Sequence, residues 1–557
     1  MSRLRGLVGS PGIAIGTITH LAHTTAHADT KSSDPQTDRQ RLLTSQAEVA
    51  AQLQRLAAEL RAEDKPDEAG IFEAQALLAG DSALVSEVER LLAEEQLALP
   101  EAVRRASEAM AATLSRIDDP YLRERAADVE AIGQQIIATL QGVTLDLRLP
   151  EGAIVIARDL TPAQTASLRG LGIAGFATAG GTATGHVAIL ARALDIPAIV
   201  GLSDALLELP DGATAILDAA EGLLIVEPDE EELATYSALY TSRQEDAERR
   251  HGLLSLPAET SDGQRVELWA NIGHPDEVQR ALEVGAEGIG LFRTEFLFLE
   301  RSAPPDEDEQ YAAYTAALRA MAGQPVVIRT LDIGGDKPIP YLEAMQEANP
   351  FLGWRGLRFA MRFRQLFQVQ LRALLRAATE GDLRIMLPMV ATPDDVAWAR
   401  AEIEAATASL AQEATPHRAD VPLGIMIETP AAAITLDLLA AGLRFCSIGS
   451  NDLTQYTLAA DRGVAELGQR YRHDDPAVFR MMQLAVSEAR RLGLEISICG
   501  ELASEPAAAL ALVGMGIEKL SMTPAALPVV KEAIRSASSE EARQQSQLYL
   551  QRTQAEV

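Results

Sequence analysis

Apolar positions near the start of the chain alternate with glycine, and residues 6–21 read as one or two short strands. Residues 22–38 are polar, rich in His, Thr, Ser and Asp, and mark a loop. From about residue 39 the spacing changes. Leu43, Ala47, Ala50, Leu53, Ala57 and Leu60 recur at three- and four-residue steps and so share one helix face. Further helices are expected over 68–79, 82–96, 100–116 and 120–141, punctuated by Pro66, Gly80, Pro100 and Pro120. This block predicts an all-helical unit of two hairpin-like pairs.

At residue 148 the texture changes again. EGAIVIARDL, GIAGFATAG, AIVG and ATAILDAAEGLLIVEP are short apolar runs between Gly- and Asp-containing turns, alternating with candidate helices at 161–169 and 186–194. That pattern predicts an α/β unit, which the opening strands are expected to join, leaving the helical block as an insertion. Residues 228–255 are strongly charged and helix-prone and predict a linker helix.

The remaining residues alternate strand and helix. Strands are expected at 266–272, 288–292, 326–332, 384–390, 423–428, 445–450 and 495–499, with a short eighth near 351–354. Eight β/α units fit a (β/α)8 barrel. A polar tail follows residue 535, so a short final helix is expected. Arg293, Asp332, Glu428, Asn451, Asp452 and Cys499 all fall at or just past the C-terminal end of a strand, the face that carries the active site in such barrels. The expected boundaries are 1–22 with 146–228 for the α/β domain, 23–145 for the helical insertion, 229–260 for the linker and 261–557 for the barrel.

Composition narrows the function classes. With 557 residues several domains are expected, and 47% apolar with 23% charged residues is a globular balance. No apolar run reaches the roughly 18 residues that cross a bilayer. Gly and Pro interrupt the apolar part of the first residues, so a signal peptide is not expected, and a cytoplasmic location is. Two cysteines, Cys446 and Cys499, make a disulfide framework implausible. The formal net charge of −31 argues against nucleic acid and suits a basic protein partner, although acidity can equally serve solubility alone.

Three constellations carry chemistry. In AGGTATGHVAILAR, residues 179–192, a glycine-rich lead-in delivers His186 to the start of an apolar helical run. Exposed amides and the helix dipole there favour an anion, so His186 is placed to carry a phosphoryl group; the plainer reading is a capping or packing histidine. Arg293 in GIGLFRTEF, Arg329 with Asp332 and Lys337 in VIRTLDIGGDK, and Arg355 in FLGWRG form an arginine-rich set suited to a small, multiply anionic substrate. Surface salt bridges are the alternative. Glu428 in IMIETPAA and Asn451–Asp452 in SIGSNDLTQY end successive strands, where oxygen ligands can hold Mg²⁺ or merely cap helices. Cys499 in ICGELA is either a buried inert thiol or a proton donor.

With these segments, and with GAEGIGLFRTEFLF, RTLDIGGDKP, NPFLGWRGLR, IETPAAA and SIGSNDLTQYTLAADR, the chain resembles Enzyme I of the bacterial phosphoenolpyruvate-dependent sugar phosphotransferase system almost end to end. The resemblance implies an α/β phosphohistidine (swivelling) domain with an inserted all-helical domain, followed by a C-terminal (β/α)8 barrel. DPYLRERAADVEAIG resembles the helical domain that docks the phosphocarrier protein HPr. The resemblance also implies phosphoenolpyruvate as donor, Mg²⁺ as cofactor and a homodimer formed through the barrel. By position, His186 falls at the phosphohistidine, and Arg293, Arg329, Arg355 and Arg462 at substrate-binding arginines. Glu428 and Asp452 fall at the Mg²⁺ ligands, Asn451 at a phosphate-binding residue, and Cys499 at the residue that protonates the enolate carbon. A swinging cycle needs hinges, for which segments near 22–30, 143–150 and 228–262 are candidates.

One motif departs from the family. Gly181 and Thr182 stand where the family usually has a Gly pair, and Gly185 replaces the small polar residue before the histidine. Two other readings are weighed. A dikinase or synthase relative would add a nucleotide-binding domain, for which residues 22–145 are too short, and no Walker-type motif is present. A non-enzymatic regulatory binder draws support only from the Gly185 departure.

Overall fold

The computed structural model describes residues 2–21, 23–24, 34–62, 66–115, 120–141, 144–145, 149–160, 162–183, 185–299, 301, 303–334, 341 and 347–551. The chain divides into two compact units, residues 1–245 and 246–557.

The first unit is built on an eight-stranded sheet. Ile13–His20, Ala153–Ala157, Gly175–Thr178 and Ala198–Val200 lie side by side and parallel. Both faces of Ala153–Ala157 are buried, which explains its unbroken apolar sequence. The opening strands do join the α/β part, and the helices between Pro35 and Leu140 are inserted between two neighbouring strands of one sheet. Those helices are Pro35–Ala62, Pro66–Ala79, Ser82–Glu95, Leu99–Ser115 and Pro120–Leu140. Pro66 and Pro120 open two of them, at the position where a missing N–H costs nothing. Their core is aliphatic, with Leu42, Val49, Leu53, Val88, Val103, Ile132 and Ile136 buried around Phe72. Of the hinge candidates, residues 22, 25–30, 143 and 146–148 lie outside the described residues.

The expected linker helix runs from Glu230 to Leu253. It stops short of residue 260, because Ala258–Glu259 pairs with Val266 and Arg265 in the barrel sheet. Its end is pinned within the second unit. Arg249 and Arg250 both pair with Glu532, and the buried Lys531 donates to the Leu254 carbonyl at 2.8 Å.

The second unit is a closed barrel of eight parallel strands: β1 (Arg265–Ile272), β2 (Ile289–Phe292), β3 (Val326–Arg329), β4 (Leu383–Leu387), β5 (Leu423–Ile427), β6 (Phe445–Ile448), β7 (Glu495–Ile498) and β8 (Lys519–Met522). Closure is made by β8 pairing with β1, Lys519 opposite Glu267. The eighth strand is therefore not at 351–354. That segment holds the short turn Pro350–Leu352, with Leu352 and Trp354 exposed and Gly356 at φ +55°, a backbone that cannot continue a ladder. The final helix is also longer than expected. Ser539–Gln551 buries Ala542, Ser546, Tyr549 and Leu550, and Tyr549 stacks on Phe479 at 4.5 Å.

Alternation along the barrel strands fills its interior in layers. At the N-terminal end Lys519 pairs with Glu495 at 2.7 Å, Arg384 reaches Glu495 at 3.1 Å, and both cations lie over the Trp269 ring. Above them Trp269, Leu291, Val327, Met386, Met426 and Phe445 make an apolar plug. Above this plug, at the C-terminal ends of the strands, the charged residues of the site begin.

Candidate functional site

The ends of five barrel strands, β2, β3, β5, β6 and β7, contribute groups to a single cavity of about 770 Å³. Arg329 ends β3, and Asp332 follows three residues later. Arg293 follows β2, Glu428 follows β5, and Cys499 follows β7. Asn451 and Asp452 lie in the first turn of the helix Ser450–Leu458, directly after β6. Arg355 and Arg462 come from the loops beyond. All nine line the cavity, so the structure brings together every barrel residue singled out from sequence except Lys337, which lies outside the described residues.

Tight backbone makes this convergence possible. A Cβ on Gly500 would lie 1.6 Å from the Ser450 hydroxyl, so only glycine lets the β7 and β6 ends approach and bring Cys499 beside Asn451 and Asp452. Gly356, at φ +55°, turns the chain beneath Asp332; a Cβ there would meet Met389 at 2.8 Å. Met389 itself sits at φ +55° and donates its amide to Glu428 Oε2 at 2.7 Å, so a strained backbone fixes the carboxylate.

The electrostatics are concentrated. Arg329 Nη2 donates to Glu295 Oε1 at 2.5 Å, and its Nη1 lies 3.0 Å from Asp332 and 3.7 Å from Glu428. Arg355 donates to both oxygens of Asp452, at 2.7 and 2.9 Å, and to both of Asp332 at 3.3 Å. Burial opposes the charge on both arginines, but Glu295, Asp332 and Glu428 around Arg329, and Asp332 and Asp452 around Arg355, outweigh it and hold both protonated. Burial and the facing Asp452 and Asp332 push the Glu428 carboxyl well above the usual carboxylate range, against Arg329 and Arg355. Arg462 is 41% exposed and approaches Asp452 at 3.6 Å. Asn451 donates to Glu501 Oε1 at 3.0 Å.

The oxygens of Asp332, Glu428 and Asp452 lie within 4.8 Å of one another, and all three residues are buried. Three hard carboxylate donors in that space fit a divalent cation of the Mg²⁺ or Mn²⁺ type. Buried Arg329 Nε and Glu295 Oε2 find no hydrogen-bonding partner among the described residues. Cys499 is 2% exposed, and burial pushes its thiol up to about 11 despite the opposing Ser447 hydroxyl. It is therefore a protonated acid at neutral pH.

Sequence reasoning missed several participants. Glu295 lies two residues beyond Arg293 in the same motif, and nothing in the string says that it turns inward. Asp332 was read as a strand-end residue, not as part of the carboxylate group. Tyr471, Arg472 and His473 form the outer wall. Gln370 sits behind the site, accepting from Leu331 N at 2.9 Å and donating to Thr294 and Tyr314.

His186 belongs to the other unit, where it is the first residue of the helix His186–Ala193. The loop before it is tied down from several sides. Gly185 N donates to Thr182 O at 3.0 Å, Thr178 Oγ1 to Gly180 O at 2.8 Å, and Arg192 Nη1 to both Gly9 O and Ala183 O. Thr184 lies outside the described residues.

Comparison with known proteins agrees with this division. Residues 247–539 match the PEP-binding domain of PEP-utilising enzymes, 149–222 their mobile domain and 5–125 their N-terminal domain. The chain is 36% identical over 538 residues to the phosphoenolpyruvate-protein phosphotransferase of Priestia megaterium, covering 96% of this chain and 94% of that one. It is 39% identical over 571 residues to the multiphosphoryl transfer protein of Xanthomonas campestris pv. campestris, covering 99% of this chain and 66% of that one. An NMR solution structure of Enzyme I (nEIt) is 33% identical, with 43% of this chain and 99% of that one covered and a TM-score of 0.35.

Proposed function

The chain belongs to the phosphoenolpyruvate–protein phosphotransferase family of PEP-utilising enzymes, and on that premise we propose that it moves the phosphoryl group of phosphoenolpyruvate onto His186 and then onto a histidine of the phosphocarrier protein HPr, releasing pyruvate. The observation that carries this reading is the meeting of four arginines, three carboxylates and a protonated thiol at one mouth of the barrel.

Arg293, Arg329, Arg355 and Arg462 hold the phosphate and carboxylate of the substrate, and the Asn451 amide meets a phosphoryl oxygen. Glu428 and Asp452, with Asp332 beside them, would hold Mg²⁺. When bound, the ion supplies charge neutralisation on the substrate oxygens. A His186 nitrogen forms the new bond to phosphorus as the bond from phosphorus to the enol oxygen breaks. The proton of Cys499 goes to the methylene carbon, giving the methyl group of pyruvate, and the thiolate recovers a proton from solvent. Alignment and charge neutralisation supply most of the rate.

In this reading residues 1–22 and 146–228 carry the phosphohistidine, 23–145 dock HPr, 229–260 link the parts, and 261–557 bind the substrate and make a homodimer. No described helix is long and apolar enough to cross a membrane; the cytoplasm is the proposed location. The test is incubation with radiolabelled phosphoenolpyruvate, Mg²⁺ and HPr, following pyruvate release and HPr phosphorylation together. A His186→Ala protein that still takes up label would overturn the assignment.

A further inference from the structure

Two buried arginines face the three carboxylates, and their anchoring differs. Arg329 is held from outside the group by Glu295, at 2.5 Å. Among the described residues, every carboxylate that Arg355 touches belongs to the group itself: both oxygens of Asp452 and both of Asp332. Its remaining polar contact is the Tyr456 hydroxyl at 3.3 Å. Arg355 is also carried by a loop, next to Gly356, whereas Arg329 ends a barrel strand.

We propose that Arg355 is an internal stand-in for the divalent cation, occupying the carboxylate seat in the metal-free protein and turning to the substrate phosphoryl group once an ion has taken Asp452. The inference rests on the metal seat proposed above. Arg355 brings a unit charge to the same carboxylates that a divalent ion would take, so the two repel each other before any substrate arrives. Both oxygens of Asp452 are already engaged by the guanidinium fork, so the ion and Arg355 compete for the same atoms. The phosphoryl dianion removes the conflict, because it offers Arg355 a replacement partner of the same geometry. Ion and substrate therefore assist each other's binding, and the reciprocity is thermodynamic. Arg329 does not take part in this exchange, since leaving would strand Glu295 as an uncompensated buried charge.

The test uses the full chain without substrate, titrated with Mn²⁺ and followed by the electron paramagnetic resonance signal of the free ion. Arg355→Met should bind Mn²⁺ at least roughly tenfold more tightly than the wild type, since a unit charge a few ångströms from the ion is gone. Arg355→Lys, which keeps the charge but loses the fork, should fall between them and covers the case in which the Met variant does not fold. Adding phosphoenolpyruvate should tighten Mn²⁺ binding strongly in the wild type and much less in Arg355→Met. Equal or weaker Mn²⁺ binding by both variants overturns the stand-in role. Asp452→Asn separates the two layers. If it abolishes the site while the Arg355 variants bind like the wild type, only the stand-in fails; if it leaves Mn²⁺ binding intact, the seat fails and the inference with it.

Discussion

Glu295 and Arg329 form a buried ion pair, Oε1 to Nη2 at 2.5 Å, with Arg329 also facing Asp332 and Glu428. Glu295 is thus the outer anchor that holds Arg329, a substrate arginine in the proposed reaction, at the cavity wall. Glu295→Gln is expected to lower stability by about 3 kcal/mol, because removing one partner of a buried pair leaves the other uncompensated. The KM for phosphoenolpyruvate should rise with it. Denaturant unfolding and steady-state pyruvate release check the two effects. An unchanged KM would mean that Arg329 needs no such anchor.

Cys499 is the acid of the proposed reaction, and its thiol is pushed up to about 11 by burial. At pH 8 about one thiol in a thousand is ionised, since each unit below the pKa is a factor of ten. Iodoacetamide should therefore leave native Cys499 unmodified at pH 8 and react progressively as the pH climbs toward 11, faster than Cys446, which is pushed up to about 12 and does not line the cavity. Mass spectrometry of the two peptides reads this directly. Cys499→Ala should still phosphorylate His186, while the proton added to the methylene carbon loses its facial selectivity, visible with isotopically labelled substrate in heavy water.

Gly185 departs from the usual small polar residue before the histidine, yet its backbone does not demand glycine. It caps the helix at φ −67° and ψ 155°, an ordinary extended conformation. A Cβ there would sit 3.2 Å from Thr182 O and Oγ1, so the neighbours must yield by a few tenths of an ångström. A serine at a helix N-cap gains only a few tenths of a kcal/mol over glycine. Gly185→Ser should accordingly change the melting temperature by less than about 2 °C. The lifetime of the phosphohistidine in the two proteins then shows what the missing hydroxyl does, and a collapse of stability would mean that the loop cannot yield.

Lys531 is buried against the end of the linker helix, and burial holds its ammonium below the ordinary lysine range. A lysine depressed in the folded state binds fewer protons there than in the unfolded chain, so its contribution to stability grows as pH rises from the folded value toward about 10.4. The melting temperature of the wild type should therefore climb relative to Lys531→Met between pH 8 and 10. Differential scanning calorimetry of both proteins over that range is the check; a constant difference would place the titration elsewhere.

The barrel strands were legible because their outward positions are Ile, Leu and Val, and their ends carry the charges. β8 was not. Lys519 and Ser521 point inward, so only Leu520 and Met522 signal a strand. FLGW offered a stronger apolar run but folds as a turn with exposed side chains. The last helix hid for a similar reason, since its buried face includes Ala542 and Ser546. In the site, residues with a recognisable motif were found. Glu295, Asp332 and Gln370 were not given roles, because a carboxylate or amide earns its place through what faces it across the barrel, and pairings between strands such as Asp332 with Arg355 have no local signature.

The ion-paired floor of the barrel, Lys519 and Arg384 with Glu495 and Trp269 beneath a plug of apolar side chains, closes the chamber at that end, so that among the described residues it opens at the C-terminal ends of the strands. Donor and product must use the same opening, so pyruvate has to leave before the next donor molecule can be seated. Accumulated pyruvate would then act as a rival occupant of the chamber, and inhibition by added pyruvate, competitive with phosphoenolpyruvate, is the measurement that reads it.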